Sequence, residues 1–328
     1  MSLQARKQKI ITMNNNNYPK TLGNRQLLNL GLLLLLFLSV IFLFSLYSSR
    51  TIRHYENTKF TSPSPFENIE LEAVSALVYD IKNKKIIFER NAYEMRPLAS
   101  ITKVLSVITA LDLLPKETIV KIDKNSLLEE GDTGLYKDEK WKLSDLIDYS
   151  LTASSNDGIS AIAASAGALS GLNNYQDRER DFVDKMNSKA RQIGMSNSYF
   201  INATGLDLKD GRSGGYSNAY ETALLLAYAL ERYPEILEST THSSIDIASL
   251  SNIRHKASNT NNGIRNISGL VGSKTGFTEM AGGNLAIIID GGLGRPFVIV
   301  ALGSSIEGRI NDVTSMAQKT FEYLAGGN

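Results

Sequence analysis

The chain has 328 residues, with 35 Lys and Arg against 34 Asp and Glu, and 42% of it is hydrophobic. A net charge of +1 gives no electrostatic case for a nucleic-acid partner, and the absence of cysteine excludes a thiol nucleophile, disulfides and thiolate metal sites. Three histidines, His54, His242 and His255, lie in no catalytic motif and are too few for a histidine-rich metal centre, so neither cofactor nor metal is implied.

Residues 1–26 are polar and basic, with Arg6, Lys7, Lys9, Lys20 and Arg25, and the first acidic residue is Glu56. Residues 27–47 are nearly all Leu, Phe, Val and Ile. That is about the 20 residues a bilayer-spanning helix requires. Basic residues before an apolar run place the N-terminus in the cytoplasm and the remainder outside. The expectation is one uncleaved N-terminal transmembrane helix. A cleaved signal peptide is the competing reading, but the run is long for one and SLYSSR is a poor cleavage site. Residues 48–73, with Ser62-Pro63-Ser64-Pro65, read as an extended tether, and residues 74–328 as one globular domain.

The domain opens with two strands, 74–80 and 85–89, around a turn at 82–84. From Ile101 to Leu111 the chain reads ITKVLSVITAL. Its apolar residues fall on more than one face, as in a buried helix, and it stops before Pro115. Residues 116–143 are mixed and polar. Ser144 is placed to cap a helix through Thr152. A small, apolar helix follows over 159–169. Phe182, Val183, Met186, Ala190 and Ile193 then make one face of another helix, and 202–207 is a turn. Residues 218–233 form a helix ended by Pro234. The last third turns to strands, 269–278, 284–290 and 297–303, with a glycine-rich hairpin loop at 291–294. Ile310, Val313, Ala317, Phe321 and Leu324 line a final helix.

Three short patterns carry chemistry. In the first, Ser100 precedes Lys103 by three residues, so both share a face of a buried helix. A serine nucleophile needs a group to take its proton, and a desolvated lysine has a lowered pKa. The ordinary reading is a capping serine with a lysine that reaches solvent. In the second, Ser154 and Asn156 lie in a polar knot between two helical runs. They read as a proton relay and a donor to a substrate amide, or as a helix cap. In the third, Lys274-Thr275-Gly276 sits on a strand with glycines on both sides, so a ligand can approach the backbone. Lysine and threonine there can hold a carboxylate; the plainer reading is an edge-strand lysine.

S-x-x-K, S-x-N and K-T-G in this order, on a buried helix, an inter-helix loop and a strand, form the signature shared by penicillin-binding proteins and class A β-lactamases. The chain resembles the serine D-alanyl-D-alanine carboxypeptidases, the low-molecular-weight penicillin-binding proteins, from about residue 74 to 324. The stretches PLASITK at 97–103, TGLD at 204–207 and KTGFT at 274–278, with Ala281-Gly282 after it, are similar to that family's own blocks. The resemblance implies an α/β (α+β) fold of the β-lactamase/transpeptidase kind: a mostly antiparallel sheet flanked by helices, with an inserted helical lobe.

The same resemblance implies that Ser100 attacks the bond between the two terminal D-alanines of a peptidoglycan stem peptide, with Lys103 as general base. Ser154 passes the proton to the leaving D-alanine and Asn156 binds the acyl part. Lys274 and Thr275 hold the terminal carboxylate, beside Gly276, and the N–H groups of Ser100 and Phe277 form the oxyanion hole. β-Lactams are expected to acylate Ser100. The expected location is the cytoplasmic membrane, single-pass, with the peptidase domain outside. Many members carry a second β-rich domain and an amphipathic C-terminal anchor; here the N-terminal span is expected to take that anchor's place. A DD-endopeptidase would use the same residues. A β-lactamase would need a further glutamate to activate water. A non-catalytic cell-wall binding protein would have a decayed site, which intact motifs oppose.

Overall fold

The structure, a computed structural model, describes residues 29, 35–40, 64–292 and 294–326. The chain divides into two units, Met1–Ser62 and Pro63–Asn328. Of the first, Asn29 and residues 35–40 are helical. The basic tail expected at 1–26 and most of the span expected at 27–47 lie outside the described residues. Among the described residues, no helix is long and apolar enough to cross a membrane.

The second unit is built on a five-stranded antiparallel sheet. Its strands are β1 (Ser75–Asp80), β2 (Lys85–Arg90), β3 (Leu270–Thr278), β4 (Gly282–Asp290) and β5 (Pro296–Ser304), in the spatial order β3-β4-β5-β1-β2. β1 pairs with β5 from Ser75 opposite Leu302 to Asp80 opposite Phe297. Side chains alternate across a strand. Leu77, Ile288, Val298 and Val300 therefore face one core, and Val78, Ile287, Ile289, Phe297 and Ile299 face another. Both faces are covered, so β4 and β5 read as continuous apolar runs rather than alternating ones.

The helices are α1 (Thr102–Leu113), α2 (Leu143–Ala153), α3 (Asn156–Gly167), α4 (Tyr175–Gln192), α5 (Ala219–Arg232) and α6 (Gly308–Ala325). α6 packs on one sheet face and α5 on the other; α1 sits between α5 and the helical lobe that holds α3 and α4. Every residue of α1 from Thr102 to Ala110 is buried. A helix enclosed on all sides can hold its side chains in one place, which suits a site built on its first turn.

Several expectations needed correction. Ser144 does not cap α2: the N-cap is Lys142, without a side-chain bond, and the Ser144 hydroxyl donates to Asp145 Oδ1 at 3.0 Å. The polar stretch 116–143 contains a two-stranded sheet, Ile119–Lys121 with Lys140–Lys142, and a hairpin joins Ser244–Ala248 to Arg254–Ser258. Residues 64–73, read as the end of a tether, lie against the fold. Phe66 is buried and stacks on Phe88, with ring centroids 5.1 Å apart. The Asp312 carboxylate on α6 accepts the N–H groups of Glu72 and Ala73 at 2.8 and 2.9 Å.

Candidate active site

The turn that carries Ser100 is a short 3-10 helix, Ala99–Ile101, that runs directly into α1. Pro97 fixes its own φ, and the N–H of Leu98 donates to Gly215 O at 2.9 Å, which anchors the approach. Ala99 has φ +49°, a left-handed conformation that costs a non-glycine residue about 1 kcal/mol. Two glycines press on this turn from either side. A Cβ on Gly205 would lie 2.0 Å from Ala99 O, and one on Gly276 would lie 2.6 Å from Leu98 O and 3.2 Å from Ser100 N. Both positions are closed to any side chain, so the strand carrying Gly276 runs directly alongside Ser100.

One helical turn beyond Ser100, Lys103 is fully buried. Its Nζ donates to Ser100 Oγ at 2.7 Å and to Thr204 O at 2.7 Å. Burial pushes its pKa down to about 7; the charge of Glu129 acts in the opposite direction. Near neutral pH a large fraction of the amine is unprotonated. In that state the same contact lets the Ser100 hydroxyl donate to Nζ, which is the geometry for proton removal.

Ser154 ends α2 in the left-handed conformation, with φ +59°. Its neighbour Ser155, not Ser154, caps α3, accepting from Gly158 N at 3.0 Å. That leaves the Ser154 hydroxyl for the opposite wall. Lys274 Nζ reaches it from β3 at 2.9 Å and also donates to Thr275 O at 2.9 Å. Lys274 is 2% exposed, so it is not the solvated edge lysine of the plainer reading, although β3 is an edge strand. Burial, then the charges of Lys103 and Arg309, hold its pKa well below the ordinary lysine value. The Thr275 and Thr260 hydroxyls lie 2.5 Å apart. Phe277 follows with its ring half exposed.

Asn156 is the first residue of α3. One N–H of its Nδ2 donates to Glu130 O at 2.5 Å. Oδ1 is buried and has no partner among the described residues. The second N–H of Nδ2 is left for a substrate amide carbonyl.

Sequence reasoning missed Arg309. It is the second residue of α6, 6% exposed, and its Nη1 donates to Gly276 O at 2.9 Å. The only sign in the sequence is a charged residue beside the apolar stripe that begins at Ile310. Lys103, Lys274 and Arg309 thus bring three buried basic side chains to one region. Among the described residues, no carboxylate lies within ion-pair distance of any of them. Such a site favours an incoming anion.

The sequence profile of the D-alanyl-D-alanine carboxypeptidase family matches residues 58–304. The chain is 29% identical over 256 residues to D-alanyl-D-alanine carboxypeptidase DacF of Bacillus subtilis, covering 76% of this chain and 62% of that protein. It is 28% identical over 221 residues to a D-alanyl-D-alanine endopeptidase of Escherichia coli, covering 65% and 66%. The chain therefore spans slightly less than two thirds of the length of either relative. Among solved structures it is similar to penicillin-binding protein D2 of Listeria monocytogenes in its ampicillin-bound form. The identity is 27% and the TM-score 0.64, over 77% of this chain and 99% of that one. The Streptomyces K15 DD-transpeptidase shares the fold at 20% identity, with a TM-score of 0.69 over 77% of this chain and 98% of that one.

Proposed function

Because the chain belongs to the D-alanyl-D-alanine carboxypeptidase family, we propose that it removes the terminal D-alanine from peptidoglycan stem peptides through an acyl-enzyme on Ser100. The observation that carries this is the pairing of two buried lysines with two serines, Lys103 with Ser100 and Lys274 with Ser154, in a site that lacks an anion. The substrate's terminal carboxylate supplies that anion, held by Lys274 and the Thr275 hydroxyl. Ser100 Oγ attacks the carbonyl carbon while its proton passes to neutral Lys103. The oxyanion lies between the N–H groups of Ser100 and Phe277. Losing one such donor costs about 2.7–4 kcal/mol of barrier. The Lys103 proton passes through Ser154 to the departing D-alanine nitrogen as the C–N bond breaks. Asn156 binds the acyl part through the remaining N–H of its Nδ2. Water then attacks the ester, and Ser100 leaves with its proton restored.

Incubation of the protein with fluorescent penicillin, followed by intact mass, tests this. A long-lived adduct on Ser100, absent in Ser100→Ala, supports the reading, and D-alanine release from a stem pentapeptide completes it. Drug turnover without an adduct would instead indicate a β-lactamase, and neither adduct nor turnover a non-catalytic wall-binding protein. The relatives named D-alanyl-D-alanine endopeptidase motivate a second reading, cleavage of cross-links by the same residues. Products from a cross-linked muropeptide dimer separate the two. We further propose that residues 27–47 anchor the protein in the cytoplasmic membrane with the peptidase domain outside. The apolar run and the basic residues before it support this. Protease accessibility of the domain in intact cells would test it.

A further inference from the structure

Asp207, at the end of the loop that holds Lys103, also grips the turn that follows Phe277. Its Oδ1 accepts the Thr278 hydroxyl at 3.0 Å and its Oδ2 accepts Met280 N–H at 3.2 Å. The Thr278 oxygen in turn accepts Ala281 N–H at 3.2 Å. Behind Asp207 the loop is stiff. Asn202 Oδ1 accepts Gly205 N at 2.7 Å, Asn202 Nδ2 donates to Leu206 O at 2.9 Å, and Leu206 N donates to Thr204 Oγ1 at 3.3 Å. The far end is fixed to the helix that carries the nucleophile. Thr204 O accepts from Lys103 Nζ at 2.7 Å, and Ala203 O accepts from Ser106 Oγ at 2.6 Å. Gly205 lies against Ala99 O, one residue before Ser100.

We propose that Asp207 is a positioning residue that sets where the Phe277 N–H stands relative to Ser100. The two oxyanion donors come from different elements, one at the start of α1 and one on β3. The loop 202–207 is a strut from the first to the turn beyond the second, and Asp207 is the end that meets β3. Its carboxylate has the two acceptors this junction needs; an amide would offer only one. The other end of the substrate grip is held independently, by Thr260 and Ser154 on Thr275 and Lys274. Loosening the turn after Phe277 therefore moves the oxyanion donor more than the carboxylate grip. An oxyanion donor acts in the transition state, so the loss should appear in kcat and leave KM in place.

The inference rests on the acyl-enzyme reading above. The test measures kcat and KM for D-alanine release, penicillin acylation rate and Tm on the full chain, for wild type, Asp207→Asn, Asp207→Ala and Thr278→Val. A misplacement of about 1 Å is worth about 10²-fold in rate. Asp207→Ala should lose kcat and acylation rate by about that factor with KM unchanged. Asp207→Asn, which keeps one acceptor, should recover part of the loss. Thr278→Val removes one strand of the grip without touching the loop, and should reproduce part of it even if Asp207→Ala fails to fold. Folded Asp207→Ala with wild-type kcat, or a loss that appears in Tm or KM alone, would overturn the proposal. A wild-type protein that forms no adduct would instead remove the acyl-enzyme reading itself, and this inference with it.

Discussion

Lys103 and Lys274 are the same side chain, both buried, on opposite walls of one site. Lys103 leaves the first turn of a buried helix and meets a hydroxyl and a backbone carbonyl, with Glu129 as the nearest charge of opposite sign acting on it. Lys274 leaves an edge strand and also meets a hydroxyl and a carbonyl, but the charges acting on it are Lys103 and Arg309, both positive. The first is an amine prepared to be neutral beside a serine, where neutrality is useful because it can take a proton. The second is an amine that becomes a stable cation once an anion arrives. Under the proposed mechanism the same desolvation therefore serves a base on one wall and an anion receptor on the other, and the difference lies in what each faces.

Removing one lysine at a time breaks that comparison. Lys103→Ala should lower the penicillin acylation rate most, by about 10²–10⁴-fold, the range for a general base. Lys103→Arg should not restore it, because a guanidinium stays protonated. The wild-type acylation rate should rise about tenfold per pH unit as pH approaches about 7 and level off above it, following deprotonation of Lys103. Stopped-flow acylation from pH 5 to 9 reads this directly; a flat profile would remove Lys103 as the base.

Lys274→Ala should act on binding. Loss of a charge-assisted contact of about 1.5–3 kcal/mol raises KM by roughly 10–10²-fold. A finer test uses Ser100→Ala, which binds without reacting. The pKa of Lys274 is lowered in the free protein and a bound carboxylate raises it, so binding should take up protons at any pH between the free and bound values. Calorimetry in buffers of different ionisation enthalpy measures that uptake. It should vanish in Ser100→Ala combined with Lys274→Ala.

The smallest expected effect is on stability. The folded pKa of Lys103, about 7, lies below the ordinary lysine value of 10.5. Between those values the unfolded chain binds more protons, so stability should rise with pH across that window. Below about 7 the full burial penalty applies. Lys103→Met should therefore raise Tm, most below pH 7 and least near pH 10, while abolishing acylation. A Tm that falls at pH 6 would show that the amine's two hydrogen bonds outweigh its desolvation.

Ser100, Lys103, Ser154 and Lys274 were legible as candidates because each sits in a short motif on or beside a regular element. What a side chain faces across the fold was not. The carbonyl that holds one Asn156 N–H belongs to Glu130, 26 residues earlier. Arg309 reaches Gly276 from a helix 33 residues later, and no pattern near Lys274 announces it. The strand at Arg254–Ser258 escaped because it is short and largely polar, and that at Ile119–Lys121 because it has only three residues in a polar stretch. Residues 72–73 pack on the domain because Asp312, at the far end of the sequence, binds the backbone at Glu72 and Ala73.

The pairing of Ser75 with Leu302 has a consequence for biosynthesis. Ser100 and Lys103 leave the ribosome early, but β1 has no neighbour on its β5 side until more than two hundred further residues are made. Closing so long a loop is slow, because its entropy is lost before the contacts form. A nascent chain interrupted before β5 carries every motif residue of the site and still presents an open strand edge, a hazard for aggregation rather than a working hydrolase. Enzymatic competence should consequently switch on late and all at once. Pulse-chase labelling with penicillin on ribosome-stalled chains of increasing length would locate that step at the completion of β5.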